Sequence, residues 1–228
     1  MTNFERKMIM RLLAVDTSNK IASVAVFEDN KFLGEKITDD QKTHSEKFLP
    51  IIDELLKELN LNIKDIDMFA VSVGPGSFTG IRIGVATIKG MAQALNKKVI
   101  GVTALEGLIE MADSENVCAI INAKHGNVYV QIKYKNELLE PDFMTIDQLL
   151  NCLKEKNEKF IIVGDATIEF EEILKNNIDC EIFEEKIETS LYVGKSALNK
   201  YMQDENNAKI PNEINPIYLR KAQPDRGV

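Results

Sequence analysis

Apolar residues recur along this chain at two spacings, and the spacing names the elements. Leu12 to Asp16, Ile21 to Phe27 and Lys31 to Ile37 are short β-rich runs, the last two joined at the turn signal Glu28-Asp29-Asn30. A meander of strands therefore opens the chain, after a ragged extension from Met1 to Arg11. Thr43-His44-Ser45-Glu46 fits a capping box. The helix it starts aligns Phe48, Leu49, Ile51, Ile52, Leu55, Leu56 and Leu59 on one side, with Pro50 expected to kink it. Phe69 to Val73 reads as a strand. A loop with two glycines and a proline follows, and a helix is predicted from about Phe78 to Leu95.

Beyond it come a short strand near Val99 and a helix from about Thr103 to Ala112. Strands are predicted over Val117 to Ala123 and Gly126 to Tyr134, turning at Lys124-His125-Gly126-Asn127. After Pro141 the pattern is helix (Thr145 to Leu153), strand (Phe160 to Val163), Gly164-Asp165, helix (Thr167 to Lys175), strand (Cys180 to Phe183) and helix (Ser190 to Met202). Ile214 to Arg220 reads as a last short strand or an extended clamp. The seam near Gly101 to Asn116 divides the chain into an N-terminal lobe, residues 1–105, and a smaller α/β lobe, residues 106–228.

The helix at Phe78 to Leu95 departs from the usual surface helix, with its apolar stripe backed by a broad polar face. Only Arg82, Lys89 and Gln93 are strongly polar, and they share one narrow side. Ile81, Val85, Ile88, Ala92 and Leu95 make one apolar row; Gly80, Gly84, Thr87, Met91 and Ala94 make a second row of mostly small residues. One row covers the chain's own sheet. The second is either buried against a neighbouring helix of the same chain or left as a docking face for another. Glycine inside a helix costs roughly 1 kcal/mol against alanine, so Gly80, Gly84 and Gly90 ask for a packing reason, and close approach supplies one.

Composition narrows the functional classes. The 228 residues are enough for a real core, and no apolar stretch is long enough to span a membrane. No signal peptide is evident in Met1 to Lys7, and the odd number of well-separated cysteines, Cys118, Cys152 and Cys180, suggests reduced thiols in a cytoplasm. Two histidines make a His-rich metal site improbable. With 36 acidic against 28 basic residues and a formal charge of -8, the chain is not built to hold a nucleic-acid backbone unaided.

Asp16-Thr17-Ser18 at the first strand end has two readings, ordinary turn chemistry or a hairpin aimed at a phosphate. The meander leading into parallel crossovers resembles the actin-like and ribonuclease-H-like group of two-lobed α/β folds, which carry such a hairpin. The Gly74 to Gly80 loop leads into a helix N-terminus, where amides favour anions. Its spacing misses the dinucleotide fingerprint by one residue and lacks the P-loop's Lys-Ser/Thr pair. A phosphate-facing loop would comprise Asp16, Thr17, Ser18, Gly74, Gly76 and Ser77.

Four stretches together carry a closer resemblance: Leu13-Ala14-Val15-Asp16-Thr17-Ser18, His44-Ser45-Glu46 with Leu49-Pro50, Gly74-Pro75-Gly76-Ser77-Phe78-Thr79-Gly80-Ile81-Arg82-Ile83-Gly84, and Pro216-Ile217-Tyr218-Leu219-Arg220. They resemble the TsaB family, also called YeaZ, over nearly the whole chain from Met10. The resemblance implies a non-catalytic partner of TsaD, the paralogue that transfers a threonylcarbamoyl group to the N6 amine of the adenosine 3' of the anticodon in tRNAs reading ANN codons. It implies a TsaD heterodimer that TsaE binds, a homodimer when TsaD is absent, and tRNA contact only through the complex. The paralogue carries His-x-x-x-His on its first helix; here His44 is followed four residues on by Phe48, so the second ligand is missing. No catalytic residue and no metal ligand is assigned, and no cofactor of its own; ATP or ADP would sit at the interface with partners. Relatives often read Asp-Ala-Arg where this chain has Asn122-Ala123-Lys124.

The implied docking face comprises Phe78, Gly80, Ile83, Gly84, Thr87, Ile88 and Met91, with Phe48 and Ile52 of the preceding helix. A bulky residue at Gly84 is expected to break the complex and leave the monomer folded. Three other classes compete: an ATPase or small-molecule kinase of the actin-like group, using Asp16, Thr17 and the glycine loop; a peptidase, which no Ser/His/Asp order or zinc pair supports; and a plain oligomerisation module. Lys124, Arg220 and Lys221 are the cations placed to meet phosphate, although lone cations are usually just solvated.

Overall fold

The computed structural model describes residues 9–38, 44–184 and 189–219. The capping box at Thr43 with the Glu46 side chain, and the cations Arg220 and Lys221, lie outside the described residues.

One pattern of elements occurs twice. In the first half β1 (Arg11–Asp16), β2 (Ser23–Glu28) and β3 (Lys31–Ile37) form an antiparallel meander, followed by α1 (His44–Glu58), β4 (Met68–Ser72), α2 (Phe78–Ala94), β5 (Lys98–Val102) and α3 (Ala104–Ile109). β4 and β5 join in parallel on the far side of β1, giving the order β3-β2-β1-β4-β5. In the second half β6 (Val117–Lys124) and β7 (Asn127–Tyr134) form a hairpin, and the short strands β8 (Glu137–Leu138) and β9 (Asp142–Thr145) both pair with β7. Then come α4 (Ile146–Lys156), β10 (Phe160–Val163), α5 (Thr167–Asn177), β11 (Cys180–Ile182) and α6 (Ser190–Gln203). The second sheet reads β11-β10-β6-β7-β8, so β6 stands where β1 stands in the first. This is the two-lobed, actin-like α/β fold.

Central parallel strands are covered on both faces, so they read as unbroken apolar runs. Along β1, Leu13 and Val15 face the core built with α1 and α2, while Leu12 and Ala14 face the core built with α6. α1 spans Pro50 as one helix. β8, β9 and the 3-10 turns at Ile63–Asp65, Glu205–Asn207 and Pro211–Glu213 add to the predicted elements. Among the described residues after Ile214 there is no strand.

The two lobes exchange their last helices. α3 packs on β6 and β7, whereas α6 packs on β1, β2, β4 and β5 of the first sheet. Residues 190–217 therefore pack with the first lobe, although they follow the second-lobe elements along the chain. The physical reason is that the second face of the first sheet is apolar and needs a cover, and Val193, Ala197 and Leu198 supply it. Lys200 ties the exchange together: its Nζ donates to Gly101 O at 3.2 Å and to the Glu106 carboxylate of α3 at 2.9 Å. No helix among the described residues is long and apolar enough to cross a membrane.

Candidate functional site: an interlobe cleft and the flank of α2

The ends of β1 and β6 border a cleft of about 580 Å3 between the lobes. On the first side the structure brings together the residues the sequence singled out, and it uses most of them internally. Asp16 is buried; its Oδ1 accepts from Ser18 N at 2.7 Å and its Oδ2 from Asn19 Nδ2 at 3.0 Å. Burial pushes the Asp16 carboxyl above its ordinary range, and hydrogen bonds from Ser18, Asn19 and Ser72 pull the other way. The Thr17 hydroxyl donates to Gly80 O at 2.8 Å. Ser77 N, in the glycine loop, donates to Ser18 O at 2.7 Å, and the Ser77 hydroxyl caps α2 by accepting from Gly80 N at 3.2 Å. Gly76 lies so close to the hairpin that a Cβ there would stand 2.5 Å from Ser18 O. The loop thus packs down on the β1–β2 hairpin, and Asp16, Thr17 and Gly74 are enclosed. Ser18, Gly76 and Ser77 remain at the cleft wall.

On the opposite wall, Asn122 N donates to Asp165 Oδ1 at 2.9 Å, and the Asn122 side-chain amide donates to Glu169. A carboxylate at position 122 could not make the second bond and would face Glu169 with like charge, which accounts for asparagine there. Lys20, Lys124, Tyr129 and Asp165 also line the cleft. Sequence reading did not single out Lys20, Tyr129 or Asp165 for the cleft. The available signal was Gly164-Asp165 between a strand and a helix, the second-half counterpart of the Gly74 loop.

The flank of α2 differs from expectation. Gly80 and Gly84 are buried against Thr17: an added Cβ would stand 2.0 Å from Thr17 O at Gly80 and 2.3 Å from Thr17 Oγ1 at Gly84. Their closeness thus serves the chain's own hairpin, and a bulky residue at Gly84 would break the monomer first. Ile88, Phe48 and Ile52 are likewise in the chain's own core, Phe48 at 1% exposure. These five residues are withdrawn from the docking face, because each already has an internal neighbour. Ile83, Thr87 and Met91 are half-buried, and Phe78 is exposed. The exposed small residues on this flank are Ala86, Gly90 and Ala94, and a Cβ at Gly90 would meet nothing within 4 Å. On α1, Leu49 is exposed.

Among the described residues no group of three or more His, Cys, Asp or Glu side chains could hold a metal ion. His125 sits exposed in the β6–β7 turn at positive φ. All three cysteines are free thiols.

Comparison with known proteins adds the following. The family described as "TsaD: tRNA N6-adenosine threonylcarbamoyltransferase" matches residues 31–223. The tRNA threonylcarbamoyladenosine biosynthesis protein TsaB of Bacillus subtilis is 29% identical, over 94% of this chain and 96% of its own length. That of Haemophilus influenzae is 30% identical, over 92% of this chain and 94% of its own. Among solved structures, a Pseudomonas aeruginosa protein described as similar to peptidase YeaZ superposes with a TM-score of 0.80 at 23% identity, over 92% of this chain and all of its own. YeaZ from the same organism gives 0.76 at 22% identity, over 92% and all of its own. The structural likeness carries the two-lobed fold, the sequence likeness extends over almost the full length of both chains, and together they place this chain in the TsaB family.

Proposed function

We propose that this chain is the accessory, non-catalytic subunit in threonylcarbamoyl transfer to the N6 amine of the adenosine 3' of the anticodon. It acts by pairing with a TsaD-type paralogue and supporting TsaE binding. The observation that carries the reading is the outer flank of α2. Ala86, Gly90 and Ala94 present a nearly side-chain-free strip on a helix whose other side is fully engaged with the sheet, and a second helix can approach such a strip closely. Ile83, Thr87, Met91 and, on α1, Leu49 flank the strip, and Phe78 extends it. The same face serves a homodimer when the paralogue is absent.

Two features support a non-catalytic role. Phe48 stands four residues after His44, and its ring is packed in the core, so α1 offers no second imidazole for a metal. Asp16 is enclosed and each of its carboxyl oxygens accepts a hydrogen bond from the chain itself, which disfavours the ATPase or kinase alternative. ATP or ADP is accordingly assigned to the interface with partners, and tRNA contact to the complex.

The test is reconstitution of the chain with its own organism's TsaD and TsaE, threonylcarbamoyl-adenylate and unmodified tRNA. Transfer is expected only when the chain is present, with none from the chain alone. Transfer by the chain alone, or transfer that is indifferent to it, would refute the proposal.

A further inference from the structure

The first turn of α2 carries an exposed cluster that neither the core nor the cleft uses. Phe78 is 53% exposed and Tyr218, in the tail, 50%. Arg82 lies over the Phe78 ring, its guanidinium carbon 3.6 Å from the ring centre. The Tyr218 ring sits 5.4 Å from that of Phe78, and its hydroxyl accepts from Arg82 Nε at 3.0 Å. The tail is held in place by two further bonds, Ile217 N to Val73 O at 2.8 Å and Lys89 Nζ to Ile214 O at 2.8 Å. Two neighbouring side chains of α2 and one from the distant tail are thus fixed to one another at a half-exposed surface.

Two half-exposed rings tilted at 37° to each other, with a guanidinium over one of them, gain little for the monomer, because the rings stay wet on their outer faces. Tyr and Arg are the side chains that concentrate binding energy at protein interfaces. Stacking and the Tyr218 bond have already fixed the Arg82 side chain, so a partner need not order it. Nε is engaged, which leaves the two Nη groups at the outer end. Among the described residues no carboxylate lies within ion-pair distance of them. An end-on carboxylate is the group that matches this geometry.

We infer that Phe78, Arg82 and Tyr218 form the anchoring end of the α2 docking face and receive an acidic side chain of the protein partner, with an apolar residue beside it on the rings. The inference rests on the docking reading proposed above and is continuous with it, since Arg82 adjoins Ile83 and lies one turn before Ala86. A protein carboxylate is favoured over RNA because the chain's formal charge of -8 opposes a phosphate backbone.

The test measures affinity for the TsaD paralogue by titration calorimetry at low and moderate salt, for the wild type, Arg82→Met, Tyr218→Ala and Tyr218→Phe. Each melting temperature is recorded as a check on folding. Arg82→Met and Tyr218→Ala are expected to weaken binding about thirtyfold, the scale of an anchoring residue, with a smaller loss for Tyr218→Phe. Arg82→Met is further expected to flatten the salt dependence, which a merely structural loss would not do. If the wild type binds and the variants bind equally well, the inference fails and the docking reading stands. If the wild type does not bind, the docking reading itself fails. Loss of tRNA binding by Arg82→Met with paralogue binding intact would also overturn it, by assigning the cluster to RNA.

Discussion

Gly84→Ala puts the packing of α2 on the β1–β2 hairpin to a direct test. The new methyl carbon would stand 2.3 Å from Thr17 Oγ1, with Thr17 Cβ and Cγ2 at 3.5 and 3.6 Å. Only the hydroxyl clashes, so the escape is rotation of Thr17 about χ1, which abandons its 2.8 Å bond to Gly80 O. An unpaired buried hydroxyl, here that of Thr17, costs about 1–3 kcal/mol, and forcing a methyl into a filled site costs about as much again. Alanine's better helix propensity returns about 1 kcal/mol. A net loss of about 1–5 kcal/mol is therefore expected, a melting shift of about 2–20 °C for a chain of this size. Gly90→Ala is the internal control: nothing lies within 4 Å of its Cβ, so only the propensity remains and the chain gains about 1 kcal/mol.

The decisive arm is Thr17→Ala with Gly84→Ala. Removing the hydroxyl costs stability by itself, but it also clears the clash, so the two changes together should cost much less than their sum. The chain has no Trp, so urea unfolding is followed by far-UV circular dichroism. A Gly84→Ala variant as stable as the wild type, or strict additivity with Thr17→Ala, would refute the packing argument.

Two further outcomes are expected. Burial raises the Asp16 carboxyl, so the folded chain keeps its proton to higher pH than the unfolded chain does; the stability this gives is fully present below the unfolded pKa and is lost as pH rises through the folded one. The stability of the wild type relative to Asp16→Asn should therefore grow as pH falls from about 7 toward 4, and a flat difference in urea unfolding would count against an enclosed Asp16. Burial also pushes the Cys118 thiol up, whereas Cys152 and Cys180 are only partly buried. Alkylation mapped by mass spectrometry should reach Cys118 last and only with unfolding; equal rates at Cys118 and Cys152 would contradict the packing of the second core.

The order of elements was readable because local spacing reports local structure. A period of two marks Val128, Val130 and Ile132 on β7, and a helical period marks Ile81, Val85, Ile88 and Ala92, whichever part of the fold they meet. The family was readable too, since a block as long as Gly74 to Gly84 seldom arises without common descent. The direction each face of α2 takes was not readable. On a helix with little polar surface, spacing separates the rows but does not say which row meets which neighbour. That was decided by Thr17, which lies 63 residues before Gly80 and reaches it only once β1 and β4 pair in parallel. The same reason hid the exchange of α3 and α6, and the meeting of Phe78 and Arg82 with Tyr218. The sequence by itself determined the longer strands and helices and their order, but not the short strands β8 and β9. Tertiary pairing decided which small residues close on the chain's own hairpin and which stay open to a partner, because that choice depends on contacts between segments far apart along the chain.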